Sequence, residues 1–202
     1  MLMDADESQL VLIDFQDKFL PALWEGQVCW DNALKLAQAA HLLGVPVWGT
    51  EQNPSRLGSL PPAMKALCRQ TLSKMHFSAC EEGLLELLQP APAAKPVQGN
   101  ARSLPKHLQN PVAAEPERRS IVLAGVEAHV CLLQTALDLL EEEWEVWLVT
   151  DACSSRTERN RDAAYDRLAG AGAELVTTEM VLFEWLRTAE HPHFKDVQAF
   201  IK

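Results

Sequence analysis

Several things are scarce in this 202-residue chain, and each scarcity excludes a class. No apolar run approaches the roughly 20 residues of a transmembrane helix, so a membrane role is not expected. Basic residues are outnumbered, with 18 Lys and Arg against 28 Asp and Glu and a net charge of −10. That balance argues against nucleic acid or an anionic surface as the main partner. The five cysteines, Cys29, Cys68, Cys80, Cys131 and Cys153, are odd in number and form no CxxC pair. A disulfide framework and a cysteine zinc site are therefore not expected, and a reducing cytoplasm fits better. The opening MLMDADESQL lacks the basic segment of a secretory leader.

What is present suits an α/β domain. The composition is 48% hydrophobic, enough for one full-size core, and a single domain over 1–202 is expected. The chain is organised around 120–156. Ile121 to Ala124 is a short apolar run ended by Gly125, which predicts a buried strand. Val130, Leu133, Leu137 and Leu140 then recur at helical spacing, and Val146 to Val149 forms a second strand. Strand, helix and strand make a βαβ unit with parallel strands.

The same alternation extends along the chain. Gln9 to Ile13 is a strand ending on Asp14. Asp31 reads as the N-cap of a helix closed by Gly44. Val45 to Thr50 is a second strand, followed by a Pro- and Gly-rich loop from Glu51 and a short helix over 63–68. Thr71 to Lys74 is a third strand, and Ser78 with Glu81 reads as a capping box for a helix to about Leu88. Residues 89–119 hold six prolines and little periodicity, a long excursion that suits a lid, a partner surface or disorder. Thr150 to Arg156 reads as a polar turn, 158–169 as a helix, and Glu174 to Thr177 as a last strand before two more helices. His191 and His193 are two apart and do not share a helix face, so a metal role is not expected there. Six strands alternating with helices predict a three-layer doubly wound sheet, all parallel, in the order 3-2-1-4-5-6, with helices on both faces.

That order places strands one and four side by side at the switch point, where ligands bind beyond the carboxyl ends. Asp14 ends strand one, Lys74 follows strand three and Cys131 opens the helix after strand four. Taken alone, Cys131 reads as a small buried apolar residue and Lys74 as a solvated charge. Together they offer a nucleophile, a base and a cation at one crevice. The helix start and Lys74 would both favour a thiolate on Cys131. Asp14 would accept the thiol proton, and backbone N–H groups of the helix start would receive an oxyanion. Phe15, Phe19 and Trp24 would wall a pocket or equally cover a sheet edge. Gln52 at the second strand's end and Phe77 after the third complete the pocket candidates.

VLIDFQDKF, KMHFS and VLAGVEAHVCLLQTALDLL resemble the signature segments of the isochorismatase-like cysteine hydrolase superfamily. TEQNPSRLGSL, DACSSR and HPHFKDVQAFIK are similar, more narrowly, to its isochorismatase-domain-containing subgroup. The resemblance implies a catalytic triad of Asp14, Lys74 and Cys131. It also implies a cis peptide at Val126-Glu127 that turns the Glu127 and Cys131 N–H groups toward an oxyanion. Family nicotinamidases carry an Asp/His metal cluster after strand two, where this chain has Glu51-Gln52-Asn53; no metal and no cofactor are expected. True isochorismatases lack the cysteine, so Cys131 argues against vinyl-ether cleavage. The expected activity is metal-independent hydrolysis of a small amide or related C–N bond through a thioester. The alternative is a non-catalytic oligomeric or redox-responsive protein with a vestigial site. A homo-oligomer, dimer or higher, is also implied; Trp144 and Trp147 suit either an interface or the core.

Overall fold

A computed structural model describes residues 2–89 and 118–201. The Pro-rich stretch therefore falls almost wholly outside the described residues. Six strands form one parallel sheet: β1 (Ser8–Ile13), β2 (Val47–Gln52), β3 (Gln70–Lys74), β4 (Ser120–Val126), β5 (Glu145–Ser154) and β6 (Glu174–Val176). Their spatial order is β3-β2-β1-β4-β5-β6, the doubly wound order that the alternation predicts.

Both faces of the sheet are covered, so the apolar runs of its central strands are continuous rather than alternating. Leu10 and Leu12 of β1 and Val122 and Ala124 of β4 point to one face. There they meet Ala33, Leu36 and Ala40 of α1 (Gly26–Leu42), Val181 and Trp185 of α7 (Thr178–Leu186) and Val197 of α8 (Phe194–Ile201). Val11, Ile13, Ile121 and Leu123 point to the other. They meet Leu84 and Leu88 of α4 (Leu84–Leu88), Ala136 and Leu139 of α5 (Leu133–Glu141) and Leu168 of α6 (Glu158–Ala171). Two short helical turns, α2 (Pro54–Leu57) and α3 (Pro62–Lys65), lie between β2 and β3. Phe15 and Trp147 sit in the first of these cores; Trp147 is thus a packing residue.

Several element ends differ from the sequence expectation. β4 does not stop at Gly125 but pairs with β1 through it, Ile13 opposite Gly125. The glycine marks a close approach: a Cβ there would sit 2.5 Å from Ile13 Cβ and 2.8 Å from the Ile13 carbonyl oxygen. β5 runs on through Asp151-Ala152-Cys153, where a turn was expected, because an irregularity between Leu123 and Gly125 brings Cys153 opposite Gly125. Helix α1 begins at Gly26, upstream of Asp31, whose carboxylate accepts from Gln27 Nε2 at 2.8 Å instead of capping. Gly44, at φ 74°, follows the helix's end as read. Glu51 and Gln52 belong to β2 rather than to a loop. The capping box does not form: Ser78 Oγ accepts from Cys80 N at 3.2 Å, and Gly83, at φ 99°, breaks the segment before α4.

Gly125→Ala should overpack the β1–β4 seam and cost about 1–3 kcal/mol. Urea unfolding would show a lower midpoint at unchanged slope. Gly49→Ala is the control, because its Cβ would meet the movable Leu60 side chain first. Equal midpoints for Gly125→Ala and the parent would refute the close-approach account.

Candidate active site

The carboxyl ends of β1, β2 and β3 and the turn after β4 converge on one buried polar cluster. Asp14 follows β1 in a left-handed conformation, φ 54°, which aspartate tolerates better than most residues. The bend turns its carboxylate sideways to β2. Thr50 answers with both functions of its hydroxyl: it donates to Asp14 Oδ1 at 2.7 Å and accepts from Asp14 N at 3.2 Å.

Lys74, the last residue of β3, brings its ammonium to the other oxygen. Nζ lies 2.8 Å from Asp14 Oδ2, and neither side chain is exposed to solvent. This cation is that oxygen's partner; no well-directed hydrogen bond accompanies the pair. The ammonium also donates to Gln52 Oε1 at 2.5 Å and to the Phe77 carbonyl at 2.9 Å. It reaches the His76 carbonyl as well, at 3.4 Å. Desolvating an ion pair costs energy that Coulomb attraction alone seldom returns, so such a pair is weak evidence of a stabilising device.

Cys131 enters through a π-helical turn, Ala128–Leu132, between β4 and α5. Turns of this kind are frequent at functional sites. The preceding Val126-Glu127 peptide is cis. The Glu127 carbonyl accepts from Val130 N at 3.0 Å and Leu132 N at 3.4 Å. The thiol lies 3.8 Å from Gln52 Oε1. Thr135 fixes the helix behind it, donating to the Cys131 carbonyl at 2.8 Å and accepting from Ala79 N at 3.0 Å.

One electrostatic expectation fails. The thiol is not acidified: burial first, then the Asp14 carboxylate, push it up to about 12, and Lys74 only partly offsets them. Desolvation of the thiolate outweighs the cation and the helix start. Cys29 and Cys80 are also raised to about 12 and Cys68 to about 11, in each case chiefly by burial. Acidity does not distinguish Cys131 among the thiols; its neighbours do.

The pocket candidates divide. Gln52 lies inside the cluster, with its amide donating to the Met75 carbonyl at 2.8 Å and its main chain paired to Gln16. Phe77 is 52% exposed and lines, with Met75, Gln134 and Asp138, an open cleft of about 520 Å³ beside the loop that holds Lys74. Trp24 is 44% exposed. Phe19 packs partly buried against the core. Phe15 does not line a pocket: it is 2% exposed and meets Trp30 edge to face, because the turn at Asp14 directs it into the core. Glu51 is committed to Leu60 N and Lys65 Nζ, each at 2.9 Å. Among the described residues, no three His, Cys, Asp or Glu side chains come together as a metal centre.

Sequence reading missed Thr50, Gln16 and His129. Thr50 had a signal, a hydroxyl closing an otherwise apolar strand; Gln16 had none, since its role depends on the fold of its neighbours.

The Isochorismatase domain model matches residues 8–180. The chain is 36% identical over 195 residues to isochorismatase domain-containing protein 2 of Bos taurus, covering 96% of this chain and 83% of that protein. Among solved structures it is similar to the MAR1 ribonuclease from Caenorhabditis elegans, with TM-score 0.82, 29% identity, and 100% and 92% of the two chains covered. It shares its fold with the YcaC gene product from Escherichia coli, an octameric hydrolase, with TM-score 0.78, 22% identity, and 100% and 95% covered.

The raised thiol predicts how Cys131 titrates. Its iodoacetamide labelling, resolved from the other four cysteines by peptide mass spectrometry, should keep rising with pH beyond 9. A plateau already reached at pH 7 would show a resting thiolate and contradict the electrostatic account.

With a family model spanning most of its length and a relative 36% identical over 96% of it, the chain belongs to the isochorismatase-like hydrolase family.

Proposed function

We propose that this protein is a metal-independent cysteine hydrolase acting on a small amide or related C–N bond, with Cys131 as nucleophile. One observation carries the reading: a fully buried Asp14–Lys74 ion pair, 2.8 Å apart, whose charges both act on the Cys131 thiol. A buried pair is costly to keep, and its position at the switch point gives it a use.

The resting cysteine is a thiol, so attack and proton transfer are coupled. Sγ adds to the substrate carbonyl carbon as its proton passes to the Asp14 carboxylate. The carbonyl oxygen becomes an oxyanion, received by the N–H groups of Glu127 and Cys131. On collapse the C–N bond breaks, and Asp14 returns the proton to the leaving nitrogen. An amine departs and a thioester remains on Cys131. Water, deprotonated by Asp14, then adds to the thioester, and the thiolate leaves and takes the proton back. The balance is amide plus water giving acid plus amine, with no oxidant and no cofactor. Lys74 keeps Asp14 in place and offsets charge as the thiolate develops.

The residues that end β2 support the metal-independent form: Glu51 is occupied by Lys65 and a backbone N–H, and Gln52 by Lys74. A net charge of −10 makes RNA an unfavourable substrate. A homo-oligomer belongs to the same reading, since Met180 and Phe183 of α7 expose 46% and 44% of their surfaces. Among the described residues no helix is long and apolar enough to cross a membrane.

In a screen of small amides, Cys131→Ala, Asp14→Asn and Lys74→Met should each lower kcat/KM for any substrate found by about 10²–10⁴-fold. Far-UV circular dichroism would check that the folds are retained. Undiminished turnover by Cys131→Ala would end this reading.

A further inference from the structure

One conspicuous polar contact near the nucleophile is not used by the steps above. His129 lies in the π-helical turn, two residues before Cys131. Its ring bridges to two other elements. Nδ1 is 3.0 Å from Ser155 Oγ, just past β5, and Nε2 is 3.3 Å from Asn160 Nδ2, in the first turn of α6. The amide nitrogen of Asn160 carries only hydrogens, so it donates and Nε2 must offer its lone pair. Nδ1 then carries the ring proton and donates to Ser155 Oγ.

Ser155 is itself anchored. It is fully buried, and its carbonyl accepts from Trp24 N at 2.8 Å. Next to it, Ser154 Oγ donates to the Trp24 carbonyl. Trp24 lies in the segment between β1 and α1 that begins at Asp14. A chain of bonds therefore runs from the nucleophile's turn through His129 and Ser155 to the loop that carries the base. It lies on the opposite flank from the β3 loop that holds Lys74.

We infer that His129 is a positioning residue for the hydrolytic step: its ring ties the Cys131 turn to Ser155 and Asn160 and so sets the thiol against Asp14. It acts through Cys131 and touches no reacting atom. This rests on the cysteine-hydrolase reading above. Small displacements of a nucleophile cost rate far more than they cost stability.

The test uses p-nitrophenyl acetate as acyl donor. Nitrophenolate release and the acetyl adduct on the Cys131 peptide are followed together in the full-length protein. The parent should acylate at Cys131. His129→Ala should acylate about 10–100-fold more slowly at saturating ester, with KM little changed. His129→Asn places an N–H donor where Nδ1 stands and should restore most of the rate. Asn160→Ala, which leaves the Ser155 bond in place, should lose less than His129→Ala and serves as the second variant if His129→Ala does not fold. Parental rates in His129→Ala, or in Asn160→Ala where His129→Ala does not fold, would overturn the inference, as would an Asn variant no better than the Ala one. A parent that acylates nowhere on Cys131 would overturn the cysteine-hydrolase reading itself and this inference with it.

Discussion

The buried Lys74–Asp14 contact is the constraint on which the rest of the site depends. Two opposite charges, 2.8 Å apart and out of reach of water, require every remaining polar valence around them to be met. Thr50 meets Asp14, and Gln52 and the Phe77 carbonyl meet Lys74. Gln16 fixes Gln52 by pairing with its main chain on both sides. The loop over Lys74 is held in turn by Glu82, whose Oε1 accepts from Met75 N, His76 N and His76 Nδ1. Those bonds lower the Glu82 carboxyl to about 2, led by the one from Met75 N. Removing either charge would leave the other buried and uncompensated, a penalty of several kcal/mol.

The sheet explains why these groups meet. Parallel strands place all their carboxyl ends on one edge, and the doubly wound order sets β1 beside β4 at the centre. Asp14, Gln52, Lys74 and Cys131 come from four different segments, each at or just past a strand end. Gly125 contributes by its missing side chain, which lets β4 lie close to β1 at the level of the site. The thiol sits within the apolar cluster that includes Leu123, Leu132 and Ala136, and burial there pushes its pKa up. A site built this way keeps its cysteine less open to casual oxidation than an exposed thiolate would be.

Much of this was legible in the sequence, because central strands covered on both faces are continuous apolar runs. Val11 to Ile13 and Ile121 to Ala124 announce themselves, and the alternation with helices leaves few topologies. Asp14, the polar group that ends the first of these runs, is legible for the same reason. Strand ends were less so. β5 continues through Asp151 and Cys153, polar enough to read as a turn, because an irregularity beside Gly125 realigns the pair. The start of α1 was misplaced because Glu25 begins it in a left-handed conformation without a side-chain cap. The thiol's acidity was read in the wrong direction: sequence shows the nearby cation but not the depth of burial. Residues that serve by contact across the fold, such as Gln16 and His129, carry no local pattern that marks them.

The central claim is that hydrolysis passes through a thioester on Cys131. It is tested most directly by acid-quenching the protein during turnover of an amide and weighing the Cys131 peptide. The account predicts a transient mass increase equal to the substrate's acyl group, confined to that peptide and removed by hydroxylamine. Hydrolysis that proceeds with Cys131 unmodified at every quench time, and that continues after the residue has been fully alkylated, would contradict it.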